Sequence, residues 1–251
     1  MRSSSIRSTK SDLNLSAKKY QVIFDPVLKN QNKFMINIQK LEISPLNACC
    51  YIVSSEDQSE ALIIDPGGEV EKIIGYLDKN KLNPVILINT HGHGDHIGGN
   101  KELKERYPDI QICIHSADAE MLADPFKNLS LLGGKRYSSP PANRILNHHD
   151  KISFDKYAFK IIHLPGHTPG GIGIYTDSAS NGNAPVLFSG DTLFAGDIGR
   201  TDLPGGSHDL LIQSIKSCIF TLEEETIVHP GHGLSSTVKI EKERFNVNSS
   251  F

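Results

Sequence analysis

At 251 residues, with 38% apolar and 22% charged side chains, the chain can bury a substantial core without disulfide help. A net charge of −3 gives no broad basic field, which argues against nucleic acid as a partner. No apolar run approaches the roughly 20 residues of a membrane span and no secretory pattern follows the N-terminus, so a soluble, cytoplasmic protein with no membrane partner is expected.

Residues 1–20 are serine-rich, carry Arg2, Arg7, Lys10, Lys18 and Lys19, and read as a disordered extension ahead of one domain over 21–251. The same composition suits an organellar (mitochondrial) import peptide, with Asp12 and a weak amphipathic pattern counting against it. Phe34–Ile43, Cys50–Val53 and Ala61–Ile64 are predicted strands, the last closed by Asp65-Pro66-Gly67-Gly68. Glu69–Asn80 places Val70, Ile73, Ile74 and Leu77 at helical spacing. Pro84–Asn89 is an apolar run without alternation, as in a strand covered on both faces. A helix over Lys101–Tyr107, a strand over Ile110–Ile114 and a short helix over Ala117–Ala123 complete the first half. After a Gly/Pro/Ser-rich loop, strands are predicted at Tyr157–Leu164, Gly171–Tyr175, Val186–Phe188 and Thr226–His229. A helix over Asp209–Cys218 is expected to bury Leu210, Leu211 and Ile215. Strands precede helices in each half, which suggests two packed sheets with helices outside. Cys49, Cys50 and Cys113 fall in strand-like runs and read as buried reduced thiols, the habit of a reducing compartment.

The chemistry concentrates in Thr90-His91-Gly92-His93-Gly94-Asp95-His96, directly after a predicted strand. Chance would produce H-x-H-x-D-H on the order of once in a thousand such chains. Glycines at 92 and 94 are expected to let the loop turn so that its side chains converge. Imidazole with carboxylate suits zinc, and also iron or manganese. Three more strand ends place a glycine beside a candidate ligand: Pro165-Gly166-His167, Ser189-Gly190-Asp191 and Pro230-Gly231-His232.

These four motifs, in this order, resemble the metallo-β-lactamase superfamily and in particular its glyoxalase II-like (hydroxyacylglutathione hydrolase-like) branch. Ile114-His115-Ser116-Ala117-Asp118, Ala123-Asp124-Pro125 and the stretch from Gly196 through Gly199-Arg200-Thr201-Asp202 to Gly206 share the likeness, which runs from about Phe34 to about Asn246. The resemblance implies a four-layer αββα sandwich with two divalent metal ions, zinc foremost. By motif position His91, His93 and His167 would hold the first ion, Asp95, His96 and His232 the second, with Asp191 bridging. It further implies a bridging hydroxide that attacks a small-molecule thioester such as S-lactoylglutathione, Asp95 and Asp191 being the catalytic carboxylates.

His163 and His229 precede the turns that carry ligands and are expected to brace them; His115 is expected to cap or orient a loop, and Asp65 to make a turn, with a supporting role open. His148 and His149 read as solvated. Longer glyoxalase II enzymes add a helical C-terminal domain that grips glutathione, whereas this sequence ends nineteen residues after His232. Any contact to a glutathione conjugate would come from loops such as Phe126–Arg144, by default a solvated loop, where Lys127, Lys135, Arg136 and Arg144 could meet carboxylates, with Arg200 a further candidate that could instead pair with Asp202.

The main rival is an iron-dependent persulfide dioxygenase, which this sequence also resembles in Gly199-Arg200-Thr201-Asp202; there His91, His167 and Asp191 would form the two-histidine, one-carboxylate triad. β-Lactamases of the best-known kind are exported and place a cysteine in the second metal site, where this chain has none. Nuclease members carry an extra domain or a basic surface. A non-enzymatic binding module would be expected to have lost ligands, and all seven are present.

Overall fold

A computed structural model describes residues 36–44, 46–55, 59–181 and 184–247. The proposed extension over 1–20 and the start of the first predicted strand, Phe34 and Met35, lie outside the described residues. Strands β1 (Ile36–Ile43), β2 (Ala48–Ser55) and β3 (Glu60–Ile64) run antiparallel in sequence order. Helix α1 (Val70–Asn80) then crosses to β4 (Asn83–Ile88), parallel to β3. The single-turn α2 (Gly94–Ile97) and α3 (Asn100–Arg106) lead to β5 (Gln111–His115), a 3₁₀ segment (Ser116–Leu122) and the edge strand β6 (Arg144–Leu146). The second sheet is built from β7 (Lys151–Phe154), β8 (Tyr157–His163), β9 (Ile172–Thr176), β10 (Val186–Gly190), β11 (Ile227–Pro230) and β12 (Ser236–Thr237), again in sequence order. The short helix α4 (Ser178–Asn181) follows β9, α5 (His208–Ser214) precedes β11, and α6 (Val238–Val247) follows β12.

The layering follows from side-chain alternation. In β2 every residue is buried: Cys49, Tyr51 and Val53 enter the core between the sheets, while Cys50 and Ile52 enter the core under α1 and α3. Such a strand reads as a continuous apolar run because both faces are covered. β4 does the same with Ile88 inward and Leu87 outward. The central core also takes Phe159, Ile161, Ile174 and Phe188 from the second sheet. Ile162, Leu187 and Val228 turn the other way, against Leu211, Ile215 and Val238. Helix, sheet, sheet, helix is thus the observed order, as the sequence led us to expect.

Two local expectations change. Leu210 is 45% exposed; the buried row is Leu211, Ile215 and Ile219, carried past α5 by a π-turn over Ile215–Ile219. Strands β6 and β7 and helix α6 have weak patterns of their own and form by pairing or packing against neighbours already in place. Cys49, Cys50, Cys113 and Cys218 are free thiols, the first three buried. Among the described residues no helix is long and apolar enough to cross a membrane.

Candidate metal centre

Five strand ends meet at one edge of the sandwich. Asp65 follows β3, the 89–96 loop follows β4, His167 follows β8, Asp191 follows β10 and His232 follows β11. The 89–96 loop is fixed from below. Asp65 accepts hydrogen bonds from Thr90 N (2.7 Å) and Thr90 Oγ1 (2.6 Å), and its Oδ2 also receives His96 Nδ1 at 3.0 Å. Asp65 does turn the chain, accepting Gly67 N through its carbonyl, but its side chain is a buried anchor for the site. Gly92 and Gly94 are needed for a reason other than backbone freedom, since neither has positive φ. A Cβ on Gly92 would lie 2.5 Å from Met121 Cβ, and one on Gly94 2.8 Å from Ser130 Cβ.

Three further histidines are oriented through their far nitrogens. His167 Nδ1 donates to the Arg200 carbonyl at 2.8 Å and His232 Nδ1 to the Leu46 carbonyl at 3.2 Å. Thr90 Oγ1 gives its proton to Asp65, so the 3.1 Å contact with His91 is a donation from His91 Nδ1. With the far nitrogens protonated, the Nε2 atoms of His91, His96, His167 and His232 keep their lone pairs for the interior.

Those lone pairs converge. His91, His93 and His167 form one group and Asp95, His96 and His232 another, each with its ligand atoms within 4.8 Å of one another. His93 Nδ1 stands 2.9 Å from His167 Nε2, His96 Nε2 3.3 Å from His232 Nε2, and His232 Nε2 3.3 Å from Asp95 Oδ2. Donors on a tetrahedral ion at about 2.0–2.1 Å are separated by roughly 3.3 Å, so these spacings are those of a metal shell. Asp191 stands between the groups: Oδ2 is 3.6 Å from both His167 Nε2 and His232 Nε2, and Oδ1 is 3.6 Å from His96 Nε2. His91 Nε2 and Asp191 Oδ1 are buried without a hydrogen-bond partner, a costly condition that a cation would relieve. A third convergence, Asp65 with His91 and His96, is the less apt ligand set because both Asp65 oxygens are already engaged.

The two groups differ electrostatically. Burial, with His96, His167 and His93 nearby, holds His91 well below the usual imidazole range, and burial with His167 takes His93 to about 3. Burial opposes a charge on His96 too, yet Asp191, Asp95 and Asp65 outweigh it and push His96 up to about 10. Asp95 is likewise buried, but His96 and His232 hold it ionised well below the usual carboxylate range. A proton on His96 stands where the carboxylates call for positive charge. Metal ions meet that demand with His96 neutral.

Sequence reasoning missed two residues that hold the loops together. Asp118, fully buried, accepts Gly92 N (3.0 Å), Thr168 Oγ1 (2.7 Å) and Gly170 N (2.7 Å), tying the first ligand loop to the second. Asn128 accepts Gly94 N through its carbonyl at 2.8 Å, while its Nδ2 donates to Met121 O and Tyr137 O. The available signals were one of two acids in the short 116–122 segment and a lone asparagine in a loop, neither of which names a partner. His163 Nε2 donates to Pro169 O (2.9 Å), bracing the His167 loop, and His115 Nδ1 accepts Ala117 N at 3.2 Å. His229 packs on Tyr51 and Phe188 and contacts Ser235, and His148 and His149 are exposed.

Above the centre opens a cleft of about 890 Å³ whose floor includes His93, Asp95, His167, Asp191 and His232. One wall is the 128–137 segment with Leu129, Leu132 and Tyr137, and the other carries Phe194, Ile198 and Leu203. Of the cations proposed for substrate, Lys135 and Arg200 line the cleft, Arg200 being paired with Asp202 through two contacts of 2.8 and 2.7 Å. Arg136 is exposed and outside the lining, as is Arg144, which lies on β6 and donates to Lys151 O at 3.0 Å.

An αββα sandwich that gathers seven histidine and aspartate donors at its strand ends defines the class of metal-dependent hydrolases. Residues 44–232 match the metallo-beta-lactamase superfamily, and the chain belongs to it. The hydroxyacylglutathione hydrolase GloC of Haemophilus influenzae is 34% identical over 213 residues, covering 82% of this chain and 95% of the relative. The crystal structure of the B3 metallo-beta-lactamase BLEG-1 superposes with a TM-score of 0.76 at 35% identity, covering 82% of this chain and 97% of the other. TTHA1623, solved in a di-iron-bound form, gives 0.71 at 32% identity, with 82% and 98% covered.

Proposed function

We propose that the protein is a binuclear metal-dependent thioesterase acting on hydroxyacylglutathione-type substrates such as S-lactoylglutathione. The observation that carries this reading is Asp191, held at 3.6 Å from histidine nitrogens of both groups with Oδ1 unpartnered. His91, His93 and His167 would hold one ion, Asp95, His96 and His232 the other, and Asp191 would be shared. A donor set of nitrogen and oxygen fits zinc foremost, and iron or manganese as well. Divalent ions supply Lewis acidity there and bring the pKa of a bound water from ~16 toward about 7.

The chain's own groups do the rest. Asp95, ionised and on the cleft floor, orients the attacking water by accepting its hydrogen bond at a carboxylate oxygen. The apolar walls around Phe194, Ile198 and Leu132 exclude bulk water from the carbonyl. A thiolate is weakly basic and leaves without a general acid, so the floor favours thioesters over amides. Lys135, Arg200 and Asp197 on the walls match the two carboxylates and one ammonium of a glutathione moiety. We further propose a cytoplasmic setting, with residues 21–251 as the catalytic domain and small molecules rather than nucleic acid or membrane as partners. GloC, by its name a hydroxyacylglutathione hydrolase, supports the substrate class. The dioxygenase alternative, with iron on His91, His167 and Asp191, leaves the converging Asp95, His96 and His232 without a role.

The test is hydrolysis of S-D-lactoylglutathione by purified protein, with metal content measured on the same sample. Turnover with about two ions per chain is expected, falling at least 10³-fold in Asp191→Ala, as loss of a bridging ligand should. No turnover, with about one iron and oxygen consumed on glutathione persulfide, would replace the thioesterase with the dioxygenase.

A further inference from the structure

Between Asp191 and Arg200 the chain forms a tight hairpin. Leu193 and Ile198 face each other across an antiparallel bridge, and Phe194 N donates to Asp197 O at 2.9 Å, leaving Ala195 and Gly196 at the corner. The hairpin is close to everything the cleft does. It starts at Asp191, presents Phe194, Asp197 and Ile198 to the cleft, and ends at Arg200, whose carbonyl orients His167. Yet so short a loop has few contacts of its own to fix its tip.

The tip is gripped from outside the ligand set. Glu241, on α6 and 3% exposed, accepts Gly196 N through Oε2 at 2.8 Å. Its other oxygen is satisfied by Arg244 Nη1 at 2.8 Å and by Ser236 Oγ. A buried carboxylate is expensive to keep and an apolar residue would fill the space more cheaply. Ser236 and Arg244 belong to the same strand–helix unit as Glu241, so stabilising that unit accounts for Oε1 alone. Oε2 points out of the unit, to the hairpin. The hairpin is shaped to receive it: Gly196 has φ +85°, and a Cβ there would lie 3.3 Å from Arg244 Nη1. The backbone angle is the one that favours glycine, and a Cβ would in addition ask the Arg244 guanidinium to give by a few tenths of an ångström.

We propose that Glu241 is a positioning residue that holds the Leu193–Ile198 hairpin over the cleft, so that the C-terminal helix sets how tightly substrate is bound. The kinetic side of this rests on the thioesterase reading; the structural side does not. Hydrogen exchange and steady-state kinetics are to be measured on the native protein, Glu241→Ala, Glu241→Gln and Gly196→Ala. In Glu241→Ala the Gly196 amide is expected to exchange at least tenfold faster while the β10 amides keep their protection. KM for S-D-lactoylglutathione is expected to rise about tenfold, with kcat within twofold and metal content unchanged; tenfold corresponds to about 1.4 kcal/mol. Glu241→Gln, whose amide oxygen can still accept Gly196 N, should recover part of both effects, and Gly196→Ala should reproduce Glu241→Ala. A lower Tm with KM and Gly196 exchange as in the native protein would reduce Glu241 to a structural residue and overturn the proposal. So would loss of metal with a fall in kcat, because the residue would then act on the centre itself. If native protein hydrolyses no thioester, the thioesterase reading fails, and Gly196 exchange alone decides whether the clamp exists.

Discussion

Replacing Asp118 by alanine should separate the two ligand loops it joins. The carboxylate is fully buried and receives two backbone N–H groups and one hydroxyl, at 3.0, 2.7 and 2.7 Å. The alanine variant takes the acceptor from all three donors, and a buried donor left unpaired costs about 1–3 kcal/mol. Thr168 can rotate its hydroxyl toward another acceptor, whereas the amides of Gly92 and Gly170 cannot turn away. Two unsatisfied amides amount to roughly 2–6 kcal/mol, which for a domain of this size lowers Tm by about 4–24 °C. The damage should also reach the metal centre, because Gly92 sits between His91 and His93 and Gly170 lies three residues after His167. Loss of such supporting contacts typically weakens metal affinity about 10–100-fold. Calorimetric melting of chelator-treated protein, followed by zinc titration, measures the two effects separately. The isosteric change Asp118→Asn would present an amide N–H to at least one of these donors and should recover little of either. If Asp118→Ala melts within about 2 °C of the native protein and binds zinc with unchanged affinity, this carboxylate does not join the loops.

Two further outcomes follow from the geometry. Burial, helped by Lys40, lowers His229 from 6.5 to about 4, so between those values the unfolded chain binds more protons than the folded one. Stability is therefore complete above pH 6.5 and declines as pH falls toward 4, by at most about 3 kcal/mol; urea melts from pH 7 to 4 should show a shallower decline in His229→Gln. Lys135 lines the cleft while Arg200 shares its guanidinium with Asp202, so Lys135→Glu should raise KM for a glutathione thioester by roughly tenfold with kcat within twofold, and more than Arg200→Ala does.

Much of this centre can be read from local sequence because four of its donors share one loop and the others each follow a strand beside a glycine. The sandwich is legible for a similar reason: β2 and β4 are apolar on both faces, and α1 repeats its apolar residues at helical spacing. Residues whose work is tertiary left no such mark. Asp65 resembles an ordinary turn residue until Thr90 and His96 are folded onto it. Asp118 and Glu241 do not stand out from the neighbouring acids Glu120 and Glu243; their partners lie 26 to 52 and 45 residues away in the chain. The reason for Gly92 and Gly94 was misread because steric room, unlike a turn, depends on Met121 and Ser130 arriving from elsewhere. Leu210 was misplaced because it neighbours Leu211 in the first turn of α5, where Leu211 alone of the two faces the core.

Each sheet is assembled from its own half of the chain, in order, and neither of the two proposed ion-binding groups lies within one half. His91 and His93 wait for His167, and Asp95 and His96 wait for His232. The centre is thus a seam between two separately wound halves, and cations bound there would act as rivets across it. Any substitution that loosens the fit of one sheet on the other, however far from the histidines, should register as weaker metal retention. Conversely, a chain cut in the polar 147–150 turn would be expected to rejoin its halves most readily when metal is supplied.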